Sequence, residues 1–220
     1  MDSHLCRKKE QHMRVLDKLS SAMGRNDEQP NIALAEAIAE RGDTGPVLEL
    51  VGVLKGKDKA VRNDAIKVLY EVGERKPLLI AVHLQTFVHL LESKDNRMVW
   101  GAMCAVDAIA SVTPKAVVAA LPKIMAAVDK GSVITRDHAV KAMVKIAGDK
   151  KYATTVMPLL HEQLRTCPVN QLPMYAELVA TVTSVPHAKA TTSILSDRLV
   201  DVEQPPKRKR IEKVLRLLSK

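Results

Sequence analysis

The side chains that most often catalyse reactions or bind metals are scattered along this chain. Its seven histidines form no HExxH motif, and no two of them are separated by a repeat spacing. The three cysteines, Cys6, Cys104 and Cys167, include no CxxC pair of the kind that binds zinc. Neither a glycine-rich phosphate loop nor a GxSxG nucleophile motif is present. We therefore expect a protein with no catalytic residue, no metal and no cofactor.

Two residues stand out as candidates for a functional role. Trp100 is the only tryptophan, and Asp107 lies in the apolar stretch 104–110, where it could be partly buried. An exposed tryptophan often anchors a protein partner, and its truncation costs about 2 kcal/mol or more of binding free energy. Trp100 could equally cover a gap left by the small residues around Gly101. A buried acid is one mark of a functional group, although such an aspartate more often faces solvent or bonds to a neighbouring helix.

Apolar residues recur every 37 residues, and this period predicts the elements that position these side chains. Proteins with such a period stack helical hairpins, none of which buries its apolar face alone. An aromatic content of only 2% also favours closely packed helices over strands. We therefore predict an all-α fold. The three series are Ala65, Ala102, Ala139 and Ala176; Val68, Ala105, Ala142 and Val179; and Val72, Ile109 and Ile146.

The predicted fold is one continuous solenoid domain, 1–220, of about five to six helix hairpins. An N-terminal capping hairpin occupies 1–42, four central repeats of about 37 residues occupy 43–188, and a basic C-terminal capping hairpin occupies 189–220. Poor fit to the period at both ends is expected, because terminal repeats present a polar outer face. The predicted helix pairs are 5–23 and 31–40, 46–54 and 58–73, 78–91 and 97–110, 115–128 and 135–147, 152–164 and 172–182, and 189–200 and 207–218.

Capping residues and one sequence signature lead to a resemblance. Asp58, Asp95 and Ser132 follow the same 37-residue spacing, each at the start of a second helix. Segment 58–73, Asp-Lys-Ala-Val-Arg-Asn-Asp-Ala-Ile-Lys-Val-Leu-Tyr-Glu-Val-Gly, resembles the second-helix signature of HEAT repeats, and the similarity extends in degenerate form over about 43–218. Within that family the chain looks like a short stand-alone microbial HEAT protein. The resemblance implies a right-handed α-α superhelix, with second helices lining its concave side and macromolecules as partners.

The 37-residue register predicts which second-helix side chains face the concave side. In the repeat with the clearest signature, five side chains lie away from the apolar stripe: Asn63, Lys67, Tyr70, Glu71 and Glu74. The register carries the first three of these positions into the following repeats. Together they form a mixed-charge ridge with an aromatic residue near its centre, which suits a protein or peptide better than a polyanion. We therefore predict a non-enzymatic scaffold that binds a protein partner. The predicted contacts are Asn63, Lys67, Tyr70, Trp100, Asp107, Asp137 and Lys141.

The net charge of +9 is confined to the two ends of the chain. Residues 207–220 carry a net charge of +6 and residues 1–25 carry +3, so the array between them is neutral. A groove that follows a phosphate backbone would be basic along its length, and nucleic acid is therefore the less favoured partner. It stays an alternative at the basic ends, with Lys207, Arg208, Lys209 and Arg210 as candidate phosphate contacts.

The resemblance also raises two enzyme classes that occur on HEAT folds. One class oxidises a modified lysine at a di-iron centre held by several His-Glu pairs, whereas this chain has only His161-Glu162. The other class, the alkylated-DNA glycosylases, uses two tryptophans, an aspartate and an arginine in a concave cleft. This chain has one tryptophan and a neutral body, so glycosylase-like activity stays only as an alternative.

No part of the sequence predicts a membrane segment or a secretory signal. The longest purely aliphatic run, 78–82, falls far short of the roughly 20 residues that cross a bilayer. An odd number of widely separated cysteines fits a reducing compartment. We expect a cytoplasmic protein with no membrane association.

Overall fold

A computed structural model describes residues 14–219 of the chain. Across that range the chain is helical and contains no strand, which confirms the predicted all-α class. Two short 3-10 segments, Val15–Lys18 and Leu199–Asp201, accompany the α-helices. The α-helices are α1 Gln29–Arg41, α2 Thr44–Val53, α3 Lys59–Arg75, α4 Leu78–Ala81, α5 Leu84–Leu90, α6 Asn96–Ile109, α7 Pro114–Lys130, α8 Val133–Ala147, α9 Lys150–Thr166, α10 Leu172–Ala180, α11 Val185–Arg198 and α12 Pro205–Leu218.

The predicted capping residues begin the second helices. The Asp58 carboxylate accepts hydrogen bonds from the backbone amides two and three residues further on, at 2.9 and 3.1 Å. The Asp95 carboxylate accepts one from the amide two residues further on, at 3.0 Å, and the Ser132 hydroxyl accepts one at 3.3 Å from the amide three residues further on. Such caps satisfy amides that lack a helical partner and contribute about 1 kcal/mol each.

The chain divides into two compact units, one ending at Ile109 and one beginning at Ala110. In the first unit α1, α3 and α6 pack in a row with α3 in the middle, while α2 packs on α3 and α5 packs on α6. In the second unit α8 packs on α9, α9 on α11, and α10 on α12. That all of these hairpins form one continuous domain stays a prediction.

The residues of the 37-residue series are the core of each unit. All four alanines of the first series are 0% exposed, and the members of the other two series are at most 1% exposed. Burial at the same helix position in repeat after repeat is what a stacked hairpin array requires. The period therefore identified the inward face of the second helices correctly.

Glycine allows close contact between neighbouring helices, of α6 with α3 at Gly101 and of α3 with α4 at Gly73. A Cβ atom at Gly101 would lie 2.7 Å from Cγ1 of Ile66, and a Cβ at Gly73 would lie 2.5 Å from Cδ1 of Ile80. Both separations are shorter than carbon atoms tolerate. The space beside Gly101 is therefore occupied by Ile66, so Trp100 is not needed to fill it.

Two predicted helices differ from the structure. The first of them is the predicted helix 5–23, of which residues 5–13 lie outside the described residues. Residues 14–23 form a 3-10 turn and further turns instead of an α-helix. The amides of Ser20 and Ser21 bond to the side chains of Asn31 and Asp64, at 3.0 and 2.7 Å, which draws the backbone out of a helical pattern. The predicted helix 78–91 is divided into α4 and α5. Around His83 the backbone amides bond to the carbonyl three residues back, as in a 3-10 helix, and this tighter turn interrupts the α-helix.

Candidate partner-binding site

The first unit gathers two aromatic rings and two cations on one face of its second helices. We call this group the Trp100 cluster; it consists of Lys67 and Tyr70 on α3, Arg97 and Trp100 on α6, and Glu28, which directly precedes α1. The Arg97 guanidinium carbon lies 4.1 Å from the centre of the Trp100 ring, and the Tyr70 and Trp100 ring centres are 6.0 Å apart. The Lys67 amine lies 4.9 Å from the Tyr70 ring centre. These are cation–π and aromatic contacts.

A network of ion pairs surrounds the rings. The two Glu28 carboxylate oxygens lie 3.1 Å from the Lys67 amine and 2.7 Å from the Arg97 guanidinium. Lys67 also donates to Glu71 at 2.7 Å. Arg75 continues the network to Glu71 at 2.6 Å and to Glu36 at 3.0 Å. Three acids and three bases balance, so this face carries no net charge.

The network determines the charge states of its members. Desolvation opposes ionisation of Glu28, but hydrogen bonds from Lys67 and then Arg97 lower the pKa of its carboxyl group. Desolvation likewise opposes ionisation of Glu71, yet Lys67 and Arg75 lower the pKa of that carboxyl. Burial disfavours the charged amine of Lys67, but bonds to Glu71, Tyr70 and Glu28 raise its pKa. Glu28, Glu71 and Lys67 are therefore ionised at neutral pH.

Three of the predicted partner contacts are buried, which corrects the prediction that Lys67 and Tyr70 face solvent and agrees with the partial burial considered for Asp107. Lys67 is 7% exposed, Tyr70 is 6% exposed and Asp107 is 6% exposed. The aliphatic part of the Lys67 side chain is covered, while two carboxylates bind its amine. Burial raises the pKa of the Tyr70 hydroxyl. Asp107 lies two helical turns beyond Trp100 and within the packed part of α6. Trp100 and Asn63 are half-buried and stay accessible.

In the second unit, Asp137 and Lys141 are half-buried on α8. The Asp137 carboxylate accepts a hydrogen bond from the hydroxyl of Tyr175 at 2.7 Å, and Tyr175 is fully buried. Burial, followed by this bond, raises the pKa of the Tyr175 hydroxyl. Asp137 therefore braces α8 against α10, a role that the repeat register did not predict.

The basic residues at the start of α12 largely bond within the chain. Lys207 donates to the side chain of Asn170, Arg208 pairs with Glu212 at 3.2 Å, and Arg210 donates to Glu177 at 2.7 Å. Lys209 is exposed. Most of the charge that suggested phosphate contacts is thus already used in ion pairs or hydrogen bonds.

Other groups with chemical potential are dispersed. Among residues 14–219, no group of three or more His, Cys, Asp and Glu side chains is placed to hold a metal ion. The side chains of Cys104 and Cys167 are buried, while Cys6 lies outside the described residues. Nε2 of His161 lies 2.9 Å from the Thr191 hydroxyl, joining α9 to α11. No helix in the described range is both long and apolar enough to cross a membrane.

Sequence reasoning missed two members of the cluster, Glu28 and Arg97. Arg97 precedes Trp100 by three residues, a spacing that brings side chains together on a helix, so this contact was available from the sequence. Glu28 lies outside the repeat register and 69 residues from Arg97. Only the packing of α1 beside α3 brings it to the site.

Comparison with known proteins identifies the class of fold. No protein-family profile matches the chain, and no curated protein sequence matches it. Solved structures do match: an engineered protein of the Northeast Structural Genomics Consortium superposes with a TM-score of 0.63 at 20% identity, over 93% of this chain and 96% of that one. Together with the two matches described next, this likeness shows an armadillo- or HEAT-like helical-repeat solenoid. The repeat period predicted the solenoid, and the resemblance of segment 58–73 predicted its HEAT-like class.

Two designed proteins show the same likeness. Computationally designed armadillo repeat proteins for modular peptide recognition match with a TM-score of 0.61 at 16% identity, over 92% of this chain and 98% of theirs. The designed armadillo repeat protein YIII(Dq)4CqI matches with a TM-score of 0.57 at 16% identity, over 92% of this chain and 99% of that one. At such identities the likeness concerns the fold alone.

Proposed function

We propose that this chain is a non-enzymatic cytoplasmic scaffold that binds a protein or peptide partner through the second-helix face of its first unit. The observation that carries the proposal is the Trp100 ring, which is half-buried, stacked by Arg97 and in contact with Tyr70. Tryptophan, tyrosine and arginine dominate the binding energy of protein interfaces. Groups held in place before binding lose little conformational freedom when a partner arrives, which favours affinity.

The charge of this face supports a protein partner over a nucleic acid. Its three acids and three bases form closed ion pairs, so it offers no extended positive potential to a phosphate backbone. The comparison supports the same conclusion, because armadillo repeat proteins of similar fold are described as designed for peptide recognition.

The test is affinity capture with wild type and a Trp100→Ala variant, followed by calorimetry with the purified partner. We expect the variant to bind about thirtyfold more weakly, equivalent to about 2 kcal/mol. Tyr152→Ala is the matched control, because Tyr152 is a half-buried aromatic residue of the second unit with the Lys151 amine 5.4 Å from its ring centre. The control should bind like wild type.

Two results would contradict the proposal. Equal partner affinity of wild type and Trp100→Ala would remove Trp100 from the interface. A large drop in the melting temperature of Trp100→Ala would assign the ring to the core instead. If the partner were a nucleic acid, its affinity would fall steeply with salt concentration. For B-DNA, log affinity falls with log salt at a slope of about −0.9 per phosphate neutralised.

A further inference from the structure

Lys67 and Arg97 together form a site for a carboxylate, and Glu28 of the same chain occupies it. We call these two cations the carboxylate site. One Glu28 oxygen lies 3.1 Å from the Lys67 amine and the other lies 2.7 Å from the Arg97 guanidinium. Charge-assisted hydrogen bonds to both oxygens of one carboxylate are among the strongest polar contacts in proteins. Trp100 borders the site, because Arg97 lies over its ring.

The cations are held in place independently of Glu28. The Lys67 amine also donates to Glu71 at 2.7 Å, and its side chain is only 9% exposed. Arg97 stacks on Trp100 at 4.1 Å. Removing Glu28 would therefore leave the two positive groups where they are, with Glu71 as the remaining nearby acid. The open site would carry an excess positive charge.

Glu28, in contrast, is held there by its ion pairs to these two cations and not by the cap of α1. It directly precedes α1 but its side chain makes no capping bond. The first amide of that helix, of Gln29, bonds instead to the carboxylate of Asp27 at 3.0 Å. The Glu28 side chain is 47% exposed, so solvent and other molecules reach the site from its side. The carboxylate can leave without uncapping α1.

We infer that the partner is an acidic peptide, whose Asp or Glu side chain or terminal carboxylate replaces Glu28 between Lys67 and Arg97 while an adjacent apolar side chain packs on Trp100. This rests on the proposed function and specifies the chemistry of the partner. Glu28 then acts as an internal competitor. A site that is open for only a fraction of the time binds with an affinity reduced by that fraction.

The experiment measures the fluorescence of Trp100, the only tryptophan, during titration with two blocked peptides. One is acetyl-Leu-Glu-Leu-Glu-Leu-amide and the other has lysine in place of glutamate. If Glu28 fills the site about nine-tenths of the time, Glu28→Gln should bind the glutamate peptide about tenfold more tightly than wild type. Adding Arg97→Gln should abolish this gain, and the lysine peptide should give no response.

Glu36→Gln is the matched control, because Glu36 is also an exposed acid of the α1 region and also pairs with an arginine, Arg75, at 3.0 Å. It should bind the glutamate peptide like wild type. Unchanged affinity in Glu28→Gln, equal gains in both variants, a preference for the lysine peptide, or no response at millimolar peptide would each overturn the inference. If Trp100→Ala still weakens partner binding in that case, the proposed function stands and only the acidic specificity fails.

Discussion

The two units use one repeat position for different purposes. The position is Trp100 on α6 in the first unit and Asp137 on α8 in the second. Trp100 stays accessible beneath the Arg97 guanidinium, whereas Asp137 accepts a hydrogen bond from the buried Tyr175. The register determines where on a helix a side chain lies. The side chains of the neighbouring helix determine whether that side chain stays exposed to solvent or forms a contact that joins two helices.

A similar contrast holds between α3 and α8 at the repeat position one turn beyond that of Asn63 and Asp137. Lys67 on α3 is enclosed by two carboxylates and an aromatic ring, whereas Lys141, at the matching position on α8, is half-buried. The first unit thus concentrates aromatic and charged groups on one face, and the second unit uses a polar contact to join its own helices. We expect substitutions in the first unit to affect binding most, and substitutions in the second to affect stability most.

The largest expected effect on stability is that of Tyr175→Ala. Tyr175 is fully buried, and truncating a buried aromatic side chain leaves a cavity that costs about 3–5 kcal/mol of unfolding free energy. Urea denaturation followed by circular dichroism measures the loss. Trp100→Ala, at the half-buried position, should cost clearly less. Equal losses in the two variants would break the contrast between the units.

Tyr175→Phe should have an intermediate effect. It keeps the ring but removes the hydroxyl that donates to Asp137 at 2.7 Å, and the loss of a hydrogen bond to a charged group costs about 1.5–3 kcal/mol. A double-mutant cycle with Asp137→Ala measures the coupling directly, because the second change removes the acceptor. A coupling energy near zero would show that the bond does not brace α8. Partner binding should be unchanged throughout.

The smallest effect concerns pH, and in the second unit it depends on His161. Burial, then the charges of Arg165 and His187, lowers the pKa of His161 below its ordinary 6.5. The unfolded chain therefore takes up a proton first, so stability is full above about pH 6.5 and declines as pH falls towards the folded pKa. Melting temperatures between about pH 7.5 and pH 5.5 should show this decline. His161→Gln should reduce it.

The exposed His89 supplies the control, since His89→Gln should leave the decline unchanged. In the first unit, the carboxyl groups of Glu28 and Glu71 have pKa values below their ordinary 4.5. Their contribution is present above about pH 4.5 and is lost only as pH falls through the folded pKa values. Burial also lowers the pKa of His83 in the first unit, so part of the decline near neutral pH should persist in His161→Gln. A decline as large as that of the wild type would contradict the contribution of His161.

The sequence by itself determined the repeat architecture and the inward face of the second helices. A period of 37 residues and the caps Asp58, Asp95 and Ser132 depend on residues close along the chain, and such local patterns dictate where helices begin and which face is apolar. The tertiary structure alone decided that Lys67 and Tyr70 are covered and that Asp137 bonds to Tyr175.

The tertiary structure also decided the position of Glu28, which lies at the site although 69 residues separate it from Arg97 in the sequence. The distance between two helices, and the side chains each presents to the other, follow from the packing of whole hairpins. No local pattern of residue types encodes that packing. For this reason the repeat period located the face that carries Trp100, while the carboxylate site beside it became visible only once α1, α3 and α6 were assembled.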